Sequence, residues 1–301
     1  MNKIYITIII VIIILLYFYN YENDSPSNLD NKKLKIAVCF IGLCRSTHHT
    51  IDSIKSNIYQ PLDDLNIDYD IYLHTYKIEK EYNNKWSGES NEIINNDNWK
   101  LLNPTYFLIE NEDDIINKLD LPKYRTHGNP WGLKDDVSFK TLDNAILSLY
   151  STYQVTQLWK DKNIKYDAIL YLRPDILYYK PLLLSYFCPL EDNTILLPNF
   201  EEFPVNDRFA IGKPDIMKIY GERFTNAYEY SLVNSLHTET YLDYILNKNN
   251  IIIKKIHFRF SRIKIDGENR EPWYNESNNN ISYFFYSLII ILIYLFIIIP
   301  T

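Results

Sequence analysis

Lys35–Ile41 reads KIAVCFI and runs straight into Gly42-Leu43-Cys44-Arg45-Ser46. An unbroken apolar run that stops at a glycine suits a strand covered on both faces, as in a parallel sheet. Ser46 stands where it can cap a helix beginning near Thr47, with Ile51, Ile54 and Ile58 on one face. The same alternation continues outward. Residues 70–76 (DIYLHTY) read as a second strand and 105–110 (TYFLIE) as a third. Residues 142–159 carry Ile146, Leu149, Tyr153 and Leu158 at helical spacing, and 166–172 (YDAILYL) follow as another strand buried on both faces. Further on, 194–198, 208–211 and 251–260 read as strands, and 215–228 and 238–246 as helices. This order predicts an α/β fold with a mainly parallel, doubly wound sheet and right-handed crossovers.

Ligands of such sheets collect at the carboxyl ends of the strands, so the residues just past each apolar run are the candidates. Gly42 permits close backbone approach, Arg45 can make paired bonds to phosphate oxygens, and Ser46 opens a helix whose free N–H groups suit an anion. The stretch is neither a Walker loop nor a dinucleotide fingerprint; an ordinary turn with a surface arginine reads equally from it. His74 ends the second strand as a donor contact or as a core histidine. Arg173-Pro174-Asp175 ends the strand 166–172: Pro174 stops it, and Asp175 at that edge can hold Mg²⁺ or Mn²⁺ against a diphosphate. The alternative is a turn with a surface ion pair. In Asn206-Asp207-Arg208, Asp207 is a candidate base and Arg208 a phosphate or carboxylate partner, or the three form a capped turn. His237 and Glu239 open a late helix, where an acid also favours the helix N-terminus.

Composition narrows the classes. The chain carries a net charge of −7 with no basic cluster, which argues against nucleic acid as a partner. Its 44 Ile and 32 Asn against 7 Gly and 5 Ala fit A/T-rich coding DNA, so isoleucine alone does not mark a strand. Cys39, Cys44 and Cys188 make no disulfide framework and no metal spacing.

The two ends read differently from the middle. Residues 4–19 are sixteen without a charge, after Lys3 and before Glu22 and Asp24. No small-residue cleavage site follows, so 4–21 reads as an uncleaved signal-anchor with its N-terminus in the cytosol. Residues 281–300 are twenty without a charge and read as a C-terminal transmembrane helix; the polar spacer before them is too short for a GPI signal. The expected layout is an anchor at 4–21, a linker at 22–33, the α/β domain at 34–268, a linker at 269–280 and a helix at 281–300. The middle then faces a secretory lumen, and the sequons at Asn275 and Asn280 are compatible with that.

The series KIAVCFIGLCR, DIYLHTY, SLYSTYQVTQLWK, YDAILYLRPDILY, NDRFAIG and HTETYLDYIL resembles glycosyltransferase-like proteins of bacterial polysaccharide clusters and large DNA viruses. The shared pattern is a strand ending in Gly-x-x-Arg, a His-Thr strand end and an Arg-Pro-Asp strand end, in that order. The resemblance implies a GT-A-like fold, a nucleotide-sugar donor, a glycan, protein or lipid acceptor, and a divalent cation on the donor diphosphate. Arg173-Pro174-Asp175 stands where that family's Asp-x-Asp is expected, with Arg173 in place of the first acid. On this reading Asp175 and His237 are the metal ligands, or Arg173 itself neutralises the phosphate. Gly42, Arg45, Ser46, His74, Arg173 and Arg208 serve the donor, and Asp207 or Glu239 is the base. The competing expectations are a membrane protein that keeps the fold as an inactive binding or structural module, and a nucleotide-dependent transferase acting on phosphate.

Overall fold

A computed structural model describes residues 33–131 and 139–275. Eleven strands appear along them: β1 (Lys35–Ile41), β2 (Asp68–Lys77), β3 (Tyr82–Asn84), β4 (Glu89–Glu92), β5 (Tyr106–Asn111), β6 (Ala168–Leu172), β7 (Ile176–Tyr178), β8 (Thr194–Pro198), β9 (Ala210–Gly212), β10 (Ile252–Ile256) and β11 (Phe260–Arg262). Seven form one sheet in the order β10-β8-β9-β6-β1-β2-β5. Every neighbouring pair is parallel except those of β9, which runs against both β6 and β8. The α/β, mainly parallel, doubly wound sheet read from the sequence is present, with one strand reversed.

Alternation along the central strands builds the two covering layers. Ile36, Val38 and Phe40 of β1 face one way and pack with Ile51, Ile54 and Ile58. Those isoleucines come from the helix Thr47–Ile54 and the π-helical turn Lys55–Tyr59 that continues it. Ala37, Cys39 and Ile41 face the other way, toward Val155 and Trp159 of the long helix Lys140–Asp161 and toward Met217 and Tyr220 of the helix Pro214–Glu222. Gly221 lets those two helices approach. A Cβ there would press on the Thr156 hydroxyl and lie 2.7 Å from the Tyr171 hydroxyl.

Register fixes what meets at the carboxyl edge. Phe40 pairs with Leu172 and Ile41 with His74, so β1, β6 and β2 end nearly level. Because β9 runs backwards, its start lies on that same edge, and Asp207 and Arg208 arrive there by preceding a strand rather than following one. Beyond Pro174 the chain enters β7, which pairs antiparallel with β11 and sets Arg262 opposite Ile176. The expected late strand 251–260 is thus two strands in two sheets. The expected helix 215–228 is likewise Pro214–Glu222, a 3₁₀ turn at Arg223–Asn226, and Ala227–Ser231. The hairpin β3–β4 and the helix Glu112–Leu119, capped by the Asn111 side chain, were not read from the sequence.

The described residues from Leu34 onward belong to one compact unit. Packing runs past 268: Glu271 is buried, and Tyr274 stacks edge-on against Phe200 at 4.8 Å. The expected membrane segments 4–21 and 281–300 lie outside the described residues. Among the described residues no helix is long and apolar enough to cross a membrane.

Candidate functional site

A cleft of about 360 Å³ opens at the carboxyl edge of the sheet. Gly42 begins it, with φ +89°, a conformation that favours glycine. The Gly42 N–H donates to Ser151 Oγ at 2.9 Å and the Cys44 N–H to Thr75 Oγ1 at 3.3 Å, so the turn after β1 is tied to a helix and to β2. That turn delivers Arg45 into a buried charge cluster. Arg45 Nη1 donates to the Tyr82 hydroxyl and to Glu89 Oε2, both at 2.7 Å, and Nη2 donates to Asp175 Oδ2 at 3.1 Å. Arg173 grips the same carboxylate in a fork, Nε to Oδ1 at 2.9 Å and Nη2 to Oδ2 at 2.7 Å. Burial pushes the Asp175 carboxyl up, but the charges of Arg173 and Arg45 outweigh it and hold it down at about 2.

This arrangement corrects the reading of Asp175 as a cation ligand. Asp175 is only 2% exposed, and both of its oxygens are taken by guanidinium groups. A divalent ion there would replace those bonds and sit against two fixed positive charges. His237, the second expected ligand, caps the helix Thr238–Lys248, its Nδ1 facing the Thr240 N–H. Among the described residues no group of three or more His, Cys, Asp and Glu side chains converges as a metal site. The donor set does not fit a divalent cation at Asp175.

Two further donor-site expectations do not match where the residues lie. Ser46 is fully buried, and its hydroxyl donates to the Ile263 carbonyl at 2.8 Å, with no side-chain cap on the helix. His74 is also fully buried and lies behind the cleft. Its Nδ1 is 2.8 Å from Ser151 Oγ and its Nε2 is 2.9 Å from Glu110 Oε2. Burial lowers the His74 pKa and keeps the ring neutral. One consistent chain of donors follows: Gly42 N–H to Ser151, Ser151 O–H to His74, His74 N–H to Glu110. Although it holds serine, histidine and an acid, its serine is sealed from solvent, and it braces the Gly42 turn.

The cleft does gather Gly42, Arg45, Arg173, Asp175, Asp207, Arg208, His237 and Glu239. Glu239 Oε1 is buried without a hydrogen bond, 3.5 Å from Arg208 Nη2, while Oε2 is 3.6 Å from His237 Nε2. Burial, followed by the Asp207 charge, pushes Glu239 up to about 8 against the pull of Arg208. Glu239 therefore carries a proton near neutral pH. Asp207 makes no side-chain hydrogen bond among the described residues.

Sequence reasoning missed most of the lining, singling out eight of its twenty-four residues. The hairpin β3–β4 supplies Tyr82 to the lining and Glu89 to Arg45 behind it, and Trp86 between its strands forms part of a wall with Tyr76, Trp131 and Phe203. Only tertiary placement shows Glu89, which is 44 residues from Arg45 along the chain. Arg262 arrives at the end of β11 and Arg270 from the segment after it. The three arginines at 259, 262 and 270 in an otherwise acidic chain were the available signal. Arg262 lies in a fork on Glu271, and Arg270 Nη2 donates to the Trp86 carbonyl at 2.8 Å.

No family model and no curated protein matches the chain. Solved structures do. An apo glycosyltransferase of Streptococcus pneumoniae is 12% identical, with a TM-score of 0.36 over 74% of this chain and 46% of that one. The match thus spans less than half the length of the pneumococcal protein. A glycosyltransferase involved in glycosylation of the PBCV-1 major capsid is 9% identical, TM-score 0.37, over 74% and 82% of the two chains. The galactosyltransferase LgtC, solved with donor and acceptor sugar analogs, is 11% identical, TM-score 0.39, over 73% of each chain. Each of the three is described as a glycosyltransferase, and likeness this slight carries no conclusion about what this chain does.

Proposed function

We propose that the chain is a GT-A-like, nucleotide-sugar-dependent glycosyltransferase acting on a glycan, protein or lipid acceptor. One observation carries the reading. Two acids, Asp207 and Glu239, share the carboxyl-edge cleft with five arginines, 45, 173, 208, 262 and 270. Transfer needs those parts. The acceptor oxygen forms a bond to the anomeric carbon as the bond from that carbon to the donor phosphate breaks. The phosphate leaves with the bonding pair and meets guanidinium charge, and the acceptor proton passes to Asp207. The two acids suit separate duties: Asp207, whose side chain makes no hydrogen bond among the described residues, as base, and Glu239 as a hydrogen-bond donor to a sugar hydroxyl. The aromatic wall with Trp86 and Trp131 suits the apolar faces of a sugar or base.

The test is incubation of the full-length protein with UDP-, GDP- and CMP-sugars, following nucleotide release and product mass. Release that requires an acceptor extract and yields a hexose or pentose mass gain supports the reading; a transferred phosphate mass redirects it to phosphate transfer. A second reading, an inactive protein that keeps the fold, draws on the ion pairing of Asp175. It predicts donor binding without turnover in the same assay.

The uncharged segments 4–19 and 281–300 support a membrane-anchored chain with its middle in a secretory lumen. Full-length protein is expected to stay in the pellet on alkaline carbonate extraction, and residues 34–275 to survive protease in sealed microsomes. Release by carbonate, or digestion in intact vesicles, rejects the anchor or its orientation.

A further inference from the structure

We infer that the cleft takes a nucleoside diphosphate on guanidinium groups and binds it without a divalent cation. The inference deepens the transferase reading and rests on it. Its basis is how the arginines are held. Asp175 acts as a rack: its two oxygens fix Arg173 and Arg45 side by side, and Glu89 with Tyr82 fixes the far end of Arg45. The side chains of Arg45 and Asp175 are 6% and 2% exposed, so this pair is a buried foundation. Above it Arg173, 26% exposed at its side chain, keeps Nη1 without a partner among the described residues. Arg270 contributes a guanidinium held by the Trp86 carbonyl and lying 5.7 Å over the Trp86 ring. Arg208 faces Glu201 at 3.3 Å and Glu239 at 3.5 Å, and Glu239 gives it little compensation while it holds its proton.

The charges act on one another across the cleft. Burial, and after it the neighbouring Arg208 and Arg270, bring Arg262 down to about 10 against the support of Glu271. Arg270 is lowered by burial and then, beyond the help of Glu271, by Arg45, Arg208 and Arg173. Guanidinium groups that depress each other in one walled space define a place where an anion is favoured. A diphosphate offers several oxygens to such a fork-shaped donor set. A cation finds no matching set there: the buried Asp175 carboxylate is already shared by two arginines, and among the described residues no three His, Cys, Asp or Glu side chains converge.

The experiment is calorimetric titration of full-length protein with uridine and guanosine diphosphate, once in excess EDTA and once with Mn²⁺. The expected result is binding of at least one nucleotide in EDTA, with Mn²⁺ changing its affinity by less than about 3-fold. Arg173→Gln and Arg270→Gln are each expected to weaken it by about 10–100-fold, the loss of one charge-assisted contact. Should Arg173→Gln fail to fold, Arg270→Gln carries the test, since Arg270 lies outside the Asp175 rack. Binding that appears only with Mn²⁺ overturns the inference and leaves the transferase reading in place, as does wild-type affinity in folded Arg270→Gln. No binding of either nucleotide under both conditions overturns the inference, and the transferase reading falls with it when no UDP-, GDP- or CMP-sugar is turned over in the release assay.

Discussion

Replacing Asp175 by asparagine keeps its shape but removes the negative charge that Arg45 and Arg173 share. Taking one partner from a buried ion pair costs about 3–5 kcal/mol, because the other is left buried and uncompensated. Asp175→Asn is therefore expected to lose about that much in urea unfolding, before any question of turnover; an unchanged midpoint would show that the arginines need no rack. Asp207→Asn is the opposite case. Its side chain makes no hydrogen bond among the described residues, so stability should hold while kcat falls by about 10²–10⁴-fold, the range of a lost general base. Donor affinity by calorimetry should stay near wild type, and a kcat within a few-fold of wild type removes Asp207 from the base role. Glu239 titrates in its own window. Its folded pKa of about 8 lies above the ordinary value near 4.3. Protonation thus stabilises the fold fully below about pH 4, and that contribution fades as pH rises through about 8. Melting temperatures should decline across that interval, and Glu239→Gln should flatten the slope; an identical slope in the variant rules out this titration.

At the scale of elements, the contact between the helices Lys140–Asp161 and Pro214–Glu222 turns on Gly221. Alanine ordinarily favours a helix over glycine by about 1 kcal/mol. Here its methyl would press on Thr156 and Tyr171, which already hydrogen-bond to each other at 2.5 Å. Gly221→Ala is expected to destabilise by about 1–3 kcal/mol in thermal or urea unfolding, the scale of overpacking; a stabilised variant would mean that the helices separate at little cost. This junction could not be read from the sequence, which shows a glycine near a helix end and no hint of what faces it. The strands β1, β2 and β6 were readable because burial on both faces demands unbroken apolar runs. The strand β9 was readable only as a short apolar patch, and three residues carry no sign of direction. Arg45, Arg173 and Asp175 were singled out from their places at strand ends. Their mutual pairing was hidden, since 130 residues separate Arg45 from Asp175. The family pattern pulled Asp175 toward a metal and His74 toward a donor, while burial and hydrogen bonding give the first to arginines and the second to Ser151 and Glu110.

For the whole molecule, the last stretch described closes the cleft over its first strand. Ile263 receives the Ser46 hydroxyl, Ile265 donates to Glu89, and Arg270 reaches the Trp86 carbonyl, across 217, 176 and 184 residues. Construction of the site is therefore a matter of time as well as space. At about 5–20 residues per second of synthesis, Arg45 leaves the ribosome on the order of 10–40 s before Arg262. Its carboxylate partners Glu89 and Asp175 emerge in between, so the charge is matched early and the wall arrives late. A nascent chain arrested with Ile256 just outside the ribosome has every strand of the large sheet and lacks β11, Arg262 and Arg270. Such a chain should fold its core and retain no labelled nucleotide on a filter, binding only after the final segment is released.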